Sequence, residues 1–328
     1  MLPRRLLMDR SRRKGCMNVL LLRPVPPGAI QTLRERVAQV EIRASPDTRS
    51  LEAALDWAEV IFGNPPAALL RNRANLRWVQ IVSAGFDEYA SLAGSGVMLT
   101  TAHGVHSLAI AQQLMMAMLM FARGQIHFGA CQRRRQWDRN PAVPFSLRGQ
   151  VVGLLGYGSI AREFARMGRL LGVRMRAIRR TPGACPDELE ALDPVERLDD
   201  LLGHSDHLIV TLPYTKETRG LIDARRVAEI KRGAFFYNVA RGGLVDEPAL
   251  IARLQEGSLG GAAMDVFERE PLPPDSAWWD APNTLVFPHI AGHHRDLNTE
   301  TFALFAGNLV RYAARQPLRN EANFQLGY

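Results

Sequence analysis

Cysteine is scarce. Three residues in 328 (Cys16, Cys131 and Cys185), an odd number at wide spacing, make neither a disulfide framework nor a zinc-type cluster, and they suit a reducing cytoplasm. Long apolar runs are missing as well. The longest, Leu114 to Ala122, is nine residues, short of the roughly 18 to 20 that a membrane-spanning helix requires, so no membrane association is expected. The first sixteen residues carry six basic side chains but no apolar stretch of signal-peptide length follows them, and export is not expected. No internal repeat, low-complexity tract or Ser/Gly linker interrupts the chain. Lysine accounts for only 3 of the 41 basic residues, which reads as an effect of genome composition.

What is present is the profile of a globular protein, 47% hydrophobic and 23% charged. Its length predicts about two domains, at roughly 150 residues each. The formal charge of +8 raises the question of a nucleic-acid partner. Residues 1–16 hold six of the 41 basic and one of the 33 acidic residues, so the body carries only +3, and no nucleic-acid partner is expected. Met17 opens a strand-like run, Asn18 to Leu22, and residues 1–16 are read as a disordered basic extension.

From residue 151 short apolar runs alternate with amphipathic stretches, the pattern of βα units on a parallel sheet. Strands are predicted at Val151 to Leu155, Val173 to Ile178, His207 to Leu212, Ala234 to Asn238, Gly261 to Val266 and Thr284 to Phe287. Helices are predicted at Ile160 to Leu171, Ala224 to Ile230 and Asp246 to Gln255, the last with Asp246 as N-cap and Pro248 in its first turn. The first hundred residues repeat the theme, with strands at Asn18 to Leu22, Val60 to Phe62, Trp78 to Val82 and Val97 to Thr100. The fold class is α/β: two doubly wound, Rossmann-like domains with a cleft between them. The expected division is 17–104 with 294–328 as one domain and 105–293 as the other. A long helix starting at His106 carries a methionine stripe that is read as core packing.

The run Gly156-Tyr157-Gly158-Ser159-Ile160-Ala161 follows a strand and opens a helix, matching G-x-G-x-x-A. Gly156 permits the tight turn, Gly158 lets the backbone approach a pyrophosphate, and Ala161 allows close helix packing while amides at the helix start face the anion. In NAD-binding versions an acidic residue some 20 positions on binds the ribose 2′-hydroxyl. No acid occurs between Glu163 and Asp187 here, and the second strand ends in Arg179-Arg180-Thr181. Two guanidinium groups and a hydroxyl suit a 2′-phosphate. The cofactor is therefore expected to be NADP(H) in preference to NAD(H), with NAD(H) as second choice.

Three further segments lie at predicted strand ends: Asn238 to Asp246, Asp265 to Pro273, and Pro288 to Gly292. Together with the glycine-rich turn, and with Ser83 to Asp87, Gly104-Val105-His106, Thr211-Leu212-Pro213 and Trp279 to Asn283, they make the chain resemble the D-isomer-specific 2-hydroxyacid dehydrogenases, which include glyoxylate, hydroxypyruvate and phosphoglycerate dehydrogenases. That resemblance implies Arg241, Glu270 and His289 as the catalytic residues. Elementary chemistry suits those roles. Reducing a 2-oxo acid needs a cation to hold the carboxylate and polarise the ketone, which a bidentate Arg provides. It also needs a proton donor, and a carboxylate beside an imidazole favours its charged form.

The resemblance further implies that the backbone amides of Ala84 and Gly85 receive the substrate carboxylate, together with Arg241. It implies that Asp265 faces the nicotinamide carboxamide, and that Ser159, Ile160, Leu212, Pro213, Val239, Ala240 and Gly292 line the cofactor. Phe86 replaces a small aliphatic residue and is expected to narrow or re-aim the pocket. Gln112 and Gln113 replace an acidic position often found after the Gly-Val-His segment. His289, His293 and His294 lack an acidic or cysteine ligand, so no metal is expected. The expected activity is reduction of a small 2-oxo acid, as a homodimer in the cytoplasm. A cofactor-sensing corepressor-type protein on the same fold is the alternative.

Overall fold

The computed structural model describes residues 16–44, 51–140, 143–181 and 183–327. The basic extension expected over residues 1–16 lies outside them except for Cys16. The chain divides into two compact units. One ends at Ala102 and resumes over Asp296–Phe324; the other begins at His103 and runs to Arg295, with the chain's last residues from Gln325.

The first unit is built from β1 (Met17–Leu21), α1 (Ala29–Arg36), β2 (Val40–Ala44), α2 (Leu51–Trp57), β3 (Val60–Phe62), β4 (Trp78–Gln80) and β5 (Met98–Thr100). All pairings are parallel, in the order β2-β1-β3-β4-β5. That is one of the two common doubly wound orders. In the second unit α3 (Ser107–Ala122) and α4 (Gln125–Arg133) precede β6 (Val151–Leu155), α5 (Ser159–Leu170), β7 (Arg174–Ile178), β8 (Ala191–Asp193), α6 (Leu198–His204), β9 (His207–Val210), α7 (Ala224–Glu229), β10 (Phe235–Asn238), α8 (Glu247–Gln255), β11 (Gly261–Met264) and β12 (Thr284–Val286). Its seven parallel strands run β12-β11-β10-β9-β6-β7-β8, so the order reverses between β6 and β9. A ligand in an open sheet of this kind binds at such a switch point, beyond the carboxyl ends of the strands. Helix α9 (Leu297–Ala313) belongs to the first unit, where Phe302, Phe305 and Leu309 pack with Phe62 and Trp78.

Burial follows the pattern of the strands. A parallel sheet covered on both faces reads as continuous apolar sequence. Accordingly β6, β9 and β11 are buried almost throughout, with one hydrophobic cluster on each face of the large sheet. Helix α5 buries Ala161, Phe164, Ala165 and Gly168, one stripe at helical spacing. Asp246 caps α8 through Ala249 N (2.9 Å), with Pro248 in its first turn. The methionine stripe of α3 is only partly core: Met115 and Met118 are buried, whereas Met116 is exposed.

Strands β2 and β8 carry no apolar run in the sequence, and both are sheet edges. Val40-Glu41-Ile42-Arg43-Ala44 buries none of its residues fully, and Ala191-Leu192-Asp193 is half-buried throughout. An edge strand does not need the apolar signature by which the central strands are recognised.

His207, at the start of β9, is wholly buried. Its Nδ1 lies 2.9 Å from Tyr237 Oη and its Nε2 2.6 Å from Gln150 Oε1. The ring stacks on Phe235. Tyr237 donating to Nδ1 and Nε2–H donating to Gln150 satisfy a neutral imidazole completely. Burial pushes its pKa down to about 4, against a smaller opposing effect of Asp206. The unfolded chain binds a proton near pH 6.5 that the folded chain refuses until about pH 4. Stability therefore falls as pH drops through that window, by on the order of 3 kcal/mol. Urea unfolding of wild type and His207→Phe at pH 7, 5.5 and 4.5 checks this: the wild type should lose stability more steeply, and parallel curves would refute it.

Candidate active site

The glycine-rich turn joins β6 to α5 at the switch point. Gly156 has φ +98°, and a Cβ there would lie 3.2 to 3.3 Å from Leu212 and Thr211, so both backbone conformation and space require glycine. Thr211 Oγ1 donates to the Gly156 carbonyl at 3.0 Å, fastening the end of β9 to the turn. Gly158 is the opposite case, since a Cβ built on it meets nothing within 4 Å. The absence of a side chain there leaves open space beside the start of a twelve-residue helix. Arg162 N bonds back to the Gly158 carbonyl (3.1 Å). Among the described residues the amides of Ser159, Ile160 and Ala161, earlier in that first turn, have no acceptor. Open amides beside open space are what a pyrophosphate needs, so the residues present fit a dinucleotide.

The other segments reach the same edge because their strands are neighbours. In sheet order, the carboxyl ends present His289 after β12, Asp265 and Glu270 after β11, Val239, Ala240 and Arg241 after β10, and Leu212 and Pro213 after β9. The glycine turn follows β6, and Arg179, Arg180 and Thr181 follow β7. Residues spread over 134 positions of sequence thus form one row. Arg179 N bonds to the Asp193 carbonyl (3.0 Å). The Asp193 carboxylate is held by Arg176.

Asn238, fully buried at the end of β10, shapes the Arg241 turn: its Oδ1 accepts Ala240 N (3.0 Å) and its Nδ2 donates to the Arg241 carbonyl (3.0 Å). The guanidinium is half-buried, with Nη1 donating to the Ala240 carbonyl. Gly242 packs directly on the backbone of Phe267 and Glu268, where any Cβ would overlap. The Arg241 turn and the Glu270 loop therefore touch main chain to main chain.

His289 Nδ1 lies 2.7 Å from Glu270 Oε2, and Glu270 Oε1 accepts Phe267 N at 2.9 Å. With Nδ1 donating to the carboxylate, Nε2 is left to face outward; it has no partner among the described residues. His289 adopts φ +54°, a conformation that a non-glycine residue holds only where the surroundings impose it. Asp265 does so. Expected to face the nicotinamide, it is 2% exposed, and its Oδ1 accepts Ile290 N (2.9 Å), Ala291 N (3.1 Å) and Gln113 Nε2 (3.2 Å). Its carboxylate thus holds the peptide that follows His289. Gly292 sits against His106, whose Nδ1 is 3.2 Å from the Gly292 carbonyl.

Ala84 and Gly85 belong to the first unit, in the loop after β4. Asn64 pins that loop, its Oδ1 accepting Val82 N (2.8 Å) and its Nδ2 donating to Ser83 Oγ (3.1 Å). Among the described residues the amides of Ala84 and Gly85 have no acceptor. Phe86, next in the loop, is 6% exposed, and its ring meets Phe324 edge to face at 5.5 Å inside the core of the first unit.

Two supporting residues escape a reading of the sequence. Glu247, buried at the start of α8, accepts Glu268 N (2.7 Å) and Trp278 Nε1 (2.9 Å), anchoring the Glu270 loop. Burial pushes its pKa up. Gln113 reaches Asp265 from α3, 152 positions earlier in the chain. Glu247 looks like ordinary first-turn acid, and the only trace of Gln113 is that an amide stands where an acid is usual.

The profile described as "D-isomer specific 2-hydroxyacid dehydrogenase, NAD binding domain" matches residues 115–291, more than half of the chain. A D-3-phosphoglycerate dehydrogenase of Archaeoglobus fulgidus is 28% identical over 314 residues, covering 94% of this chain but 59% of that longer protein. An (S)-sulfolactate dehydrogenase of Chromohalobacter salexigens is 32% identical, covering 74% of this chain and 79% of the relative. A glyoxylate/hydroxypyruvate reductase B of Citrobacter koseri is 29% identical, covering 89% and 94%. Among solved structures, a family member from Xanthobacter autotrophicus in complex with NADPH and MES has a TM-score of 0.80 at 29% identity, covering 96% of this chain and all of that one. An NADPH-dependent glyoxylate/hydroxypyruvate reductase from Sinorhizobium meliloti, in complex with NADP and sulfate, has a TM-score of 0.81 at 26% identity, covering 95% and 100%. This chain belongs to the D-isomer-specific 2-hydroxyacid dehydrogenases, an oxidoreductase family acting on the CH–OH group of 2-hydroxy acids.

Proposed function

We propose that the protein reduces a small 2-oxo acid of the glyoxylate or hydroxypyruvate type to the D-2-hydroxy acid, using NADPH. The observation that carries this reading is the His289–Glu270 pair, 2.7 Å apart on the sheet edge that holds the glycine turn. Bound there, the dihydronicotinamide would supply a hydride to the 2-oxo carbon. Glu270 holds Nδ1, so Nε2 of a protonated His289 gives its proton to the developing alkoxide, and the neutral ring takes another from solvent. Arg241 draws negative charge onto the carboxylate and the ketone oxygen. The open amides of Ala84 and Gly85 are donors of the kind a carboxylate accepts. Two relatives that bear the names of glyoxylate/hydroxypyruvate reductases support the substrate class. A cytoplasmic homodimer belongs to the same reading, and sedimentation of the purified protein tests the dimer.

Arg179, Arg180 and Thr181 are assigned to the 2′-phosphate. A charge-assisted hydrogen bond is worth about 1.5 to 3 kcal/mol, roughly a 10- to 150-fold effect. Arg179→Ala with Arg180→Ala should lower kcat/KM for NADPH by at least tenfold and leave that for NADH nearly unchanged. Equal losses with both cofactors, or a wild-type preference for NADH, would refute the assignment. Following NADPH and NADH oxidation with glyoxylate, hydroxypyruvate, pyruvate and phenylpyruvate tests the whole reading. Turnover fastest with the first two and NADPH is expected. Tight cofactor binding with no turnover of any acid would favour a cofactor-sensing protein instead.

A further inference from the structure

The geometry points to a binding site for a zinc-class divalent metal ion formed by His127, Cys131 and Asp138, none of which the reductase reading uses. His127 and Cys131 are four residues apart on α4, so their side chains share one face of the helix. Asp138 comes from the segment that follows. His127 Nε2 lies 2.6 Å from Asp138 Oδ2 and 3.6 Å from Cys131 Sγ, and the three donor atoms all lie within 4.8 Å of one another. Among the described residues no other three His, Cys, Asp or Glu donors converge in this way.

This is not a nucleophile relay. In a catalytic triad the carboxylate and the nucleophile take opposite ring nitrogens, whereas here thiol and carboxylate face the same one. A single ring proton cannot be aimed well at both, but a cation in its place is bonded by all three. Zn–N of about 2.0 Å and Zn–S of about 2.3 Å at a tetrahedral angle put N and S about 3.5 Å apart, close to the 3.6 Å between His127 Nε2 and Cys131 Sγ. The corresponding N···O distance of about 3.3 Å requires Asp138 to draw back by roughly 0.7 Å. Asp138 lies outside any helix or strand, so its segment can give that much.

Cys131 is buried while His127 and Asp138 are partly exposed, which leaves a route in and a fourth position for water. Thiolate, imidazole and carboxylate are the donors of zinc-class ions; Mg²⁺ and Ca²⁺ take oxygen ligands. Binding releases the thiol proton and moves the imidazole proton to Nδ1, so that two anionic ligands neutralise the dication. Arg133, Arg134 and Arg135 follow in the chain and temper the affinity. The sequence shows the His-x₃-Cys spacing, but not that Asp138 folds back to it.

Cobalt(II) is the probe, added to the full chain carrying Cys16→Ser and Cys185→Ser so that Cys131 is its only thiol. One equivalent should give a near-ultraviolet thiolate-to-cobalt charge-transfer band that Zn²⁺ displaces. His127→Ala and Cys131→Ser should each abolish the band and weaken Zn²⁺ binding at least tenfold, with Asp138→Asn weakening it less. Cys131→His, which keeps a ligand in place, should bind Zn²⁺ yet show no charge-transfer band, and it decides the matter if Cys131→Ser does not fold. Absence of the band in the parent chain, or Zn²⁺ binding unchanged in these variants, overturns the proposal. Neither readout involves turnover, so it stands or falls independently of the reductase assignment.

Discussion

Replacing His289 with Ala is expected to lower kcat for 2-oxo acid reduction by about 10² to 10⁴-fold, the usual contribution of a positioned general acid. The variant removes the only proton donor assigned to the alkoxide. It leaves the glycine turn and the residues after β7 untouched, so NADPH affinity, read by fluorescence titration, should stay within a few-fold of wild type. Glu270→Gln keeps an acceptor-sized group beside Nδ1 but removes the charge, and it should reduce kcat more than it raises KM, because the ring would still reach substrate without being held as a donor. Wild-type kcat in His289→Ala would end the assignment of the acid. A loss confined to KM would make His289 a binding residue instead.

Asp265→Ala is expected to show a second large effect, on stability as well as rate. It would leave the amides of Ile290 and Ala291 and the side chain of Gln113 without the acceptor they share. Each buried group left unsatisfied costs about 1 to 3 kcal/mol, and roughly 3 kcal/mol corresponds to a fall in Tm of about 6 to 12 °C for a domain of this size. The same carboxylate holds the peptide after His289, whose φ of +54° relaxes without it. A small misplacement of a catalytic group can cost about 10²-fold, so kcat should fall by at least tenfold in the part of the population that remains folded. Asp265→Asn keeps the shape and one oxygen and should lose less on both counts. Thermal melting and steady-state kinetics on the two variants check this, and an Ala variant with unchanged Tm and kcat would refute it.

Much of this site was legible from the linear chain for a specific reason. A parallel sheet buried on both faces writes its central strands as apolar runs, so β6, β9, β10 and β11 announce themselves, and the polar residues just past them mark the sheet edge where ligands bind. The glycine turn is legible because only glycine tolerates Gly156's φ, and the helix that follows shows a periodic apolar stripe. Edge strands β2 and β8 were not, because one open edge removes the need for that signature.

By itself the sequence determined the α/β class, the family resemblance and the identity of the strand-end residues, since these depend on local periodicity and on short motifs. Only the tertiary structure decided that Phe86 points into a core, that Asp265 serves the His289 backbone, that Gln113 and Glu247 reach loops far from them in sequence, and that Asp138 meets His127 and Cys131. The reason is physical. A side chain's direction and partners follow from sheet order and from which buried donor lies within about 3 Å, and neither is written in the spacing of residues along the chain.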